Sequence, residues 1–337
     1  MRLRHWFQAV GLTVLFSFPL IAKPDFSEYA AGLQQEAVER GYSPELIEQV
    51  FASLEYHERI VSADRSQPER VETLDTYLPK RVSETRIRMA RERYQQYQQE
   101  LKEIEARYGV QGRFIVALWG LESSFGRFMG NHSVPSSLAT LAYEGRREAF
   151  FRGEFFHALD ILADGHIALE DMKGSWAGAM GQSQFMPSSF LAYAQDFDGD
   201  GKKDIWGNQM DVFASIANYL KSRGWDNSLT WGREVKLPEG FSMDYTIPRG
   251  TPNHRVWLQE WARTERTLAD WQQLGVRRTD GRDLPERDIK AALILPDNEN
   301  GRAYLAYDNY KTLMHWNRSY YFVTSVGYLA DLIAAGE

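Results

Sequence analysis

Hydrophobic residues recur at helical spacing through most of the first 225 positions of this 337-residue chain. One of these amphipathic segments begins with Ser43 and Pro44, a capping residue followed by proline at the first helical position. Gly224 is a suitable residue to end the last of them. The pattern predicts helices over seven segments: 26–40, 44–51, 82–108, 115–121, 147–166, 188–195 and 212–222.

The pattern changes after Trp225. Two short strand-like runs, 234–238 and 291–296, are bounded by proline and glycine turns, and one short helical piece, 268–274, lies between them. The last segment returns to helical spacing. We therefore predict a mainly α (α+β) protein with a helical N-terminal domain at 23–106, a helical core at 107–225, a small β-containing domain at 226–303 and a C-terminal helix at 304–337 that returns to the core.

The N-terminus has the three-part pattern of a secretory signal. Arg2, Arg4 and His5 give a positive start, an apolar run follows at 9–21, and Ala22 is a suitable cleavage position. The apolar run is too short for a comfortable membrane span, although a retained N-terminal anchor is the alternative. No cysteine stands near the cleavage point, so a lipid anchor is not expected. We predict a signal peptide at 1–22 and a soluble periplasmic protein after its removal.

Composition narrows the possible chemistry. The formal charge is −7 and both signs are interspersed, so there is no basic stripe for nucleic acid. The chain has no cysteine, which excludes disulfides, thiol catalysis and cysteine-ligated zinc. The chain has ten tryptophans and seventeen tyrosines. Such side chains pack in protein cores, and they also stack against sugar rings.

Glu122 is the first candidate for catalysis. It follows an apolar run, 114–119, that has the pattern of the buried stripe of a helix. A carboxyl group buried there must be paired or protonated, and a protonated glutamate on an apolar wall suits a general acid. The alternative is a glutamate at a helix end whose carboxylate reaches solvent. Gly120 and Gly126 lack side chains, which would let a bulky substrate approach the backbone.

A second candidate region is the glycine-rich stretch 174–190. Its small residues predict an open backbone path, and Ser175 and Gln184 offer neutral hydrogen bonds. Neutral donors near a carboxylic acid suit recognition of amide and hydroxyl groups, as on an N-acetylated sugar. The alternative is a tight turn between two helices.

The third motif is an acidic loop with the D-x-D-x-D-G pattern of calcium loops. Its expected ligands are three side chains and one backbone carbonyl: Asp196, Asp198, Asp200 and Lys202. The twelfth position is Gly207, so the usual glutamate is missing, and Asp211 could close the shell if the loop is longer. The motif favours a structural Ca²⁺ that clamps the wall carrying Gln184, and the alternative is a solvated acidic turn.

Together with Trp316-Asn317-Arg318-Ser319 near the C-terminus, these blocks resemble the lytic murein transglycosylase B family of peptidoglycan-cleaving enzymes. The most specific strings are Gly-Leu-Glu-Ser-Ser-Phe-Gly-Arg at 120–127 and Ala-Gly-Ala-Met-Gly at 177–181, with Gln-Phe-Met-Pro-Ser-Ser following at 184–189. The resemblance extends from about residue 77 to the C-terminal helix. The missing lipobox is typical of the soluble branch of the family.

The resemblance implies a lysozyme-like helical core, a Ca²⁺ ion in the acidic loop, no organic cofactor, and Glu122 as the sole catalytic acid and base. It implies that Glu122 cleaves the MurNAc-β-1,4-GlcNAc bond and that a 1,6-anhydro-MurNAc end forms. The implied cleft residues are Ser175, Gln184, Tyr219, Asn317 and Tyr77, with Arg146 and Arg147 toward the peptide stem. Phe322 stands where a tyrosine is usual, so a hydroxyl role there passes to Tyr321.

Two other functions are open at this stage. A hydrolytic muramidase would use the same acid with a second, hidden aspartate. A non-catalytic scaffold that binds the cell wall would not need Glu122. In each case the expected partner is the glycan strand of peptidoglycan, and we expect a monomer.

Overall fold

The computed structural model describes residues 25–65, 72–248, 250–251 and 253–336, so the predicted signal peptide lies outside the described residues. The α-helices in these ranges are α1 (Phe26–Glu39), α2 (Pro44–Ala52), α3 (Glu58–Arg65), α4 (Leu74–Arg81), α5 (Glu84–Gln96), α6 (Gln98–Tyr108), α7 (Gly112–Ser123), α8 (Val134–Glu144), α9 (Glu148–Ala163), α10 (Pro187–Tyr193), α11 (Gln209–Ser222), α12 (His254–Thr264), α13 (Leu268–Gln273), α14 (Asp308–Trp316) and α15 (Tyr320–Ala334). The strands are β1 (His132–Ser133), β2 (Lys173–Gly174), β3 (Gly232–Lys236), β4 (Arg266–Thr267), β5 (Arg277–Arg278), β6 (Lys290–Ile294) and β7 (Ala303–Ala306). None of these helices is both long and apolar enough to cross a membrane.

Helix starts agree with the capping residues in the sequence. The side chain of Ser43 accepts a hydrogen bond from the backbone N–H of Leu46 and begins α2, followed by Pro44 at the first helical position. The predicted helix 82–108 is two helices, α5 and α6, because the chain turns at Tyr97. The ring of Tyr97 packs 5.9 Å from that of Trp119. Burial of this aromatic ring accompanies the break in a segment whose spacing suggested one helix.

One continuous hydrophobic core joins the helices, with α7 inside it. Residues of α1, α2 and α4 belong to the same buried cluster as residues of α15. Helix α7 packs against α5, α6, α11 and α15, and nearly every residue in it is buried. A helix that is apolar on all sides is expected at the centre of a core. The N-terminal helices share this core, so the division at residue 106 stays a prediction.

The small β-containing part is a five-stranded antiparallel sheet in the order β4-β6-β7-β3-β5. It has a second hydrophobic cluster of its own, which includes Leu268, Trp271, Leu293 and Leu305. Strand β7 runs to Ala306, past the predicted boundary at 303, because its four residues are all buried between two neighbouring strands. Helix α12 also lies in this part, where the sequence pattern predicted no helix before residue 268.

Helix α4 is fixed to the loop that follows β6. The N-cap residue Thr73 makes no side-chain cap, and Asp297 from the loop accepts the backbone N–H of Leu74 at 2.8 Å instead. Asp297 also accepts a hydrogen bond from the hydroxyl of Tyr321 on α15. Three distant segments of the chain therefore meet at one carboxylate.

We expect Asp297→Ala to lower the free energy of unfolding by roughly 1–3 kcal/mol, because it removes a helix cap and leaves the Tyr321 hydroxyl with one acceptor fewer. Denaturant titration measures this change. The control is Asp283→Ala, which breaks an exposed ion pair with Arg277 and should change stability by less than about 0.5 kcal/mol. Equal losses in the two variants would contradict the role of Asp297.

Candidate active site

Glu122 lies in the last turn of α7, just before an abrupt turn of the backbone. Ser124, Phe125 and Gly126 follow it with φ angles of 52°, 60° and 80°, all in the left-handed region. Two consecutive residues other than glycine in that region indicate a backbone that surrounding contacts hold in place. The turn reverses the chain directly after the carboxylic acid, so Glu122 stands at the end of the central helix.

The two glycines beside Glu122 serve internal packing, which corrects our sequence interpretation that they open the backbone to substrate. A Cβ atom at Gly120 would lie 2.7 Å from the ring of Phe125. A Cβ atom at Gly126 would lie 2.5 Å from Oε1 of Gln182, and its φ of 80° disfavours other residues. Their missing side chains make room for Phe125 and Gln182.

Glu122 has one direct hydrogen-bond partner among the described residues. The indole Nε1–H of Trp316, at the end of α14, donates to Oε1 of Glu122 at 2.7 Å. Burial raises the pKa of Glu122 from 4.5 to about 7, against the opposing effects of Trp316 and the charge of Arg81. A carboxyl group with this pKa exists in both protonation states near neutral pH, so it can give a proton and take one back.

No second carboxylate influences Glu122 within the described ranges. The groups that shift its pKa are Trp316 and Arg81, besides burial itself. The two carboxyl groups of a hydrolytic glycosidase lie about 5–9.5 Å apart, and a charge at that distance in a buried site would raise the pKa further. The geometry therefore fits a single acid and base.

Gln182 joins the catalytic helix to the segment after the acidic loop. Its Oε1 accepts the indole N–H of Trp119 at 2.7 Å, and its Nε2 donates to the carbonyl of Trp206 at 2.9 Å. Its backbone carbonyl accepts the hydroxyl of Ser123 at 2.7 Å. Because Gln182 is buried and all these groups are paired, it fixes the wall of the cleft against α7.

Ser175 and Gln184 hold the glycine-rich turn in shape. The hydroxyl oxygen of Ser175 accepts the backbone N–H of Ala179 at 3.0 Å. The side-chain amide of Gln184, a residue with φ of 52°, donates to the carbonyls of Met129 at 3.1 Å and Gly181 at 2.9 Å. The amide N–H groups that we predicted as donors to a sugar therefore already have partners within the protein.

Tyr219 and Asn317 lie beside the partner of the acid. The ring of Tyr219 is 4.8 Å from that of Trp316, and its hydroxyl donates to the carbonyl of His315 at 2.7 Å. Asn317 is half-buried and directly follows Trp316 as the C-cap residue of α14. These contacts bring two of the predicted cleft residues next to the Glu122–Trp316 hydrogen bond.

Tyr77 and Tyr321 face each other, with ring centroids 5.3 Å apart. The Tyr321 hydroxyl donates to the carbonyl of Glu72 at 2.6 Å as well as to Asp297, so it fastens α4 to α15. Its hydroxyl therefore has a structural role in the described contacts. Tyr77 lies on α4 under the guanidinium of Arg81, which links it to the electrostatic surroundings of Glu122.

Arg146 and Arg147 precede α9, and their described contacts involve other residues. Arg146 pairs with Asp64 of α3 at 2.5 Å and is largely exposed. The guanidinium of Arg147 lies 4.3 Å from the ring centroid of Phe150. Neither contact includes Glu122 or its partner Trp316, so a role toward the peptide stem stays a prediction.

The acidic loop brings three of the predicted ligands together. Oxygen atoms of Asp196, Asp198 and Asp211 all lie within 4.8 Å of one another. Asp196 accepts backbone N–H groups from Gly199 and Gly201, which closes the loop. Carboxylate oxygens at this spacing are the ligands that Ca²⁺ prefers. Asp211 lies close enough to the other two to be the closing ligand of a loop that is longer than usual.

The other two predicted ligands are less defined. Asp200 is exposed and lies outside the group of three carboxylates, with Oδ1 accepting the backbone N–H of Lys202 at 2.8 Å. Asp211 is fully buried, and burial raises its pKa to about 6, with the charges of Asp198 and Asp196 adding to the rise. Asp211 lies buried next to two other carboxylates, so its charge is unfavourable there. A bound cation would reduce the repulsion among the three groups.

Sequence reasoning missed three residues that shape the site. Trp316 was noted only as part of a motif, and neither Arg81 nor Gln182 was assigned a role. The available signal was their place in the sequence: Arg81 lies within the range of the family resemblance, and Gln182 lies in the glycine-rich stretch between two matched strings. Spacing along the chain gives no indication that Trp316, 194 positions after Glu122, donates to it.

The fold resembles those of solved lytic transglycosylases. SltB3 from Pseudomonas aeruginosa, crystallised in complex with NAG-NAM-pentapeptide, matches with a TM-score of 0.84 and 40% identity, covering 92% of this chain and 80% of that chain. Slt35 from Escherichia coli, in complex with calcium, matches with a TM-score of 0.73 and 26% identity, covering 91% and 93%. The fold is thus that of the lysozyme-like lytic transglycosylases.

Sequence comparison leads to the same class. Membrane-bound lytic murein transglycosylase B of Escherichia coli (strain K12) is 39% identical over 160 residues. This alignment covers 46% of the chain and 44% of that protein, so the chain matches less than half the length of this curated relative. The family model described as the transglycosylase SLT domain matches residues 25–331. The chain belongs to this family.

We expect Glu122→Gln to stabilise the protein at pH 8 and to have little effect at pH 4. The folded state holds the Glu122 proton up to a pKa of about 7, and the ordinary value is 4.5, so the stability of the wild type falls as the pH rises through this range. Glutamine carries no charge, and the gain at pH 8 should be roughly 1–3 kcal/mol. Urea titrations at both pH values measure it.

Glu103→Gln is the matched control, because Glu103 is exposed on α6. Its substitution should give no gain that grows with pH. A gain for Glu122→Gln that is the same at pH 4 and pH 8 would contradict a buried, protonated carboxyl group.

Proposed function

We propose that this protein is a peptidoglycan lytic transglycosylase that cleaves the MurNAc-β-1,4-GlcNAc bond and forms a 1,6-anhydro-MurNAc end. The observation that carries the proposal is the half-buried carboxyl group of Glu122, with a pKa of about 7 and no carboxylate among the described groups that shift it. The family membership of the chain supports the same reaction.

In the first step Glu122 acts as the acid. Its proton passes to the glycosidic oxygen while the bond between C1 of MurNAc and that oxygen breaks, and the GlcNAc side leaves as an alcohol. The departing electron pair leaves C1 with oxocarbenium character. The Glu122 carboxylate, now charged, is stabilised by the indole N–H of Trp316 and by the charge of Arg81.

In the second step the same carboxylate acts as the base. It takes the proton of the C6 hydroxyl while O6 forms a bond to C1, which closes the anhydro ring and restores protonated Glu122. Water takes no part as a nucleophile.

We propose the following contacts with the substrate. We assign Tyr219 and Asn317 to the wall beside Trp316, and Tyr77 and Tyr321 to the side formed by α4 and α15. The N-acetyl group would meet two neutral side chains, the hydroxyl of Ser175 and the amide oxygen of Gln184. Two more residues, Arg146 and Arg147, are proposed contacts of a peptide stem.

We further propose that the acidic loop holds one structural Ca²⁺ through Asp196, Asp198 and Asp211, with Asp200 and the carbonyl of Lys202 as additional donors. The oxygen atoms of the first three fit such a cation. Its effect would be mechanical: the loop ends at Ile205, whose carbonyl accepts the backbone N–H of Gln182 at 2.8 Å. No organic cofactor is required by this reaction.

The remaining proposals concern the state of the protein in the cell. We propose a soluble, monomeric enzyme in the periplasm after removal of a signal at 1–22, with the catalytic core at 107–225. The apolar run at 9–21 and the preference of the proposed reaction for peptidoglycan support this location.

We expect Glu122→Gln to reduce the release of anhydro-muropeptides from purified peptidoglycan by at least a thousandfold, because glutamine can neither donate the proton of the first step nor accept the proton of the second. Mass spectrometry of the digest measures the product, since a 1,6-anhydro end is lighter than a hydrolysed end by one water. Folding is checked by circular dichroism.

The matched control is Glu105→Gln, on the neighbouring helix α6, which should keep the wild-type rate. Hydrolysed, reducing ends as the main product of the wild type would show a muramidase instead. Residual activity of Glu122→Gln within tenfold of the wild type would contradict the role of Glu122.

We expect Ca²⁺ to raise the melting temperature of the wild type, because an ion that binds the folded loop stabilises the folded state. Asp198→Ala combined with Asp211→Ala should abolish this rise. Differential scanning fluorimetry with Ca²⁺ and with a chelator measures both. Asp288→Ala, an exposed residue of the β-containing part, is the control and should keep the full rise. An unchanged rise in the double variant would show that the loop is a solvated acidic turn.

A further inference from the structure

A cavity of about 380 Å³ lies at the junction of α14 and α15, next to the start of α12. Its walls include the rings of Trp257 and Tyr320, the side chain of Met314 and Pro296 from the loop after β6. Arg318, in the short connection between α14 and α15, also lines it and is exposed. Among its described lining residues, the cavity thus combines apolar walls with one exposed guanidinium group.

Among the described residues that line this cavity, Arg318 carries a positive charge, and the carboxylate of Asp297 accepts the hydroxyl of the lining residue Tyr321. His254, another lining residue, contacts His315 through their Nε2 atoms at 3.2 Å. Burial lowers the pKa of both histidines, and the charges of Arg318 and Arg223 lower that of His254 further. Both imidazoles are therefore neutral near pH 7, while the two arginines are charged. In the described part of the chain, no carboxylate is among the groups that shift either histidine.

Arg318 also lacks a described ion pair. The salt bridges found in the described ranges involve other arginines, and its neighbours in the cavity are histidine, aromatic and hydroxyl side chains. A guanidinium group presents several N–H donors in a planar fork that matches a carboxylate. An anionic ligand would give the cavity the counter-charge that its own walls do not supply.

The cavity is close to the catalytic acid along the chain. Trp316, which donates to Glu122, is two residues before Arg318, and consecutive Cα atoms are about 3.8 Å apart. His315 links the two regions, since its carbonyl accepts the Tyr219 hydroxyl and its ring contacts His254. The Cα atoms of Trp316 and Arg318 therefore lie within about 7.6 Å of each other.

We propose that this cavity binds the peptide stem of the glycan substrate, with a stem carboxylate on the guanidinium of Arg318 and alanine methyl groups against Trp257 and Met314. This assignment rests on the proposed function, because it takes peptidoglycan as the substrate. Stem peptides carry free carboxylates and small apolar side chains, which match the two kinds of wall. Every MurNAc can carry a stem, so this site is distinct from any contact of Arg146 and Arg147.

The kinetic test compares two substrates of equal glycan length, one with its peptide stems and one from which an amidase has removed them. We expect Arg318→Glu to reduce the ratio of kcat/KM for the stem-bearing substrate to that for the bare glycan by about tenfold, mainly through KM, as loss of a charge-assisted hydrogen bond predicts. Arg255→Glu carries the same change of charge on an exposed residue of α12 outside the cavity. Its ratio should stay within twofold of the wild type.

A binding experiment separates this proposal from the proposed function. Free stem peptide is titrated into the Glu122→Gln protein, with and without Arg318→Glu, by isothermal titration calorimetry. We expect binding that Arg318→Glu weakens about tenfold and that amidation of the peptide carboxylates also weakens. This measurement needs no turnover, so it supports the cavity even if the wild type yields no anhydro product.

Three results would overturn the proposal. In the kinetic test, these are an unchanged ratio in Arg318→Glu, and an equal fall of the ratio in Arg318→Glu and Arg255→Glu, which would reflect long-range charge alone. In the binding test, it is equal binding of the free and the amidated peptide. A loss confined to the bare glycan would assign the cavity to a sugar ring instead.

Discussion

The removal of Glu122 from water is the constraint on which the rest of the structure depends. A carboxyl group whose pKa rises from 4.5 to about 7 needs a site that keeps out water without supplying strong counter-charge. Helix α7 meets this need because it is buried on nearly every face, between α5, α6, α11 and α15. The cost of roughly 3 kcal/mol when Glu122 is charged is offset by the apolar area that this core buries.

Three segments that are far apart in the chain complete the site around that helix end. Trp316 comes from the C-terminal part, Gln182 from the glycine-rich stretch, and Arg81 from a helix near the N-terminus. Two of them are fixed by further contacts: Gln182 by the segment after the acidic loop, and the helix of Arg81 by Asp297. The acidic loop and the sheet therefore contribute to the site through position, without contacting the acid.

The sequence predicted the helical class, the change of pattern after Trp225 and a carboxyl group at the end of a buried helix, because these depend on local spacing. It did not predict the break at Tyr97 or the hydrogen bond from Trp316, which result from packing between distant segments. The interpretation of Gly120 failed for the same reason: only the folded chain shows that Phe125 fills the space beside it. Local pattern identifies candidates, and tertiary contacts assign their roles.

The surroundings of Glu122 reflect a compromise between its two proposed tasks. Burial alone favours the protonated acid, and a further rise of the pKa would leave too little carboxylate to accept the C6 proton. The hydrogen bond from Trp316 and the charge of Arg81 act in the opposite direction. Two carboxylates can divide these tasks, but a single one must perform both, so its pKa has to lie near the working pH. One neutral donor and one cation are sufficient opposing groups, since a closer ion pair would keep Glu122 charged and remove its proton.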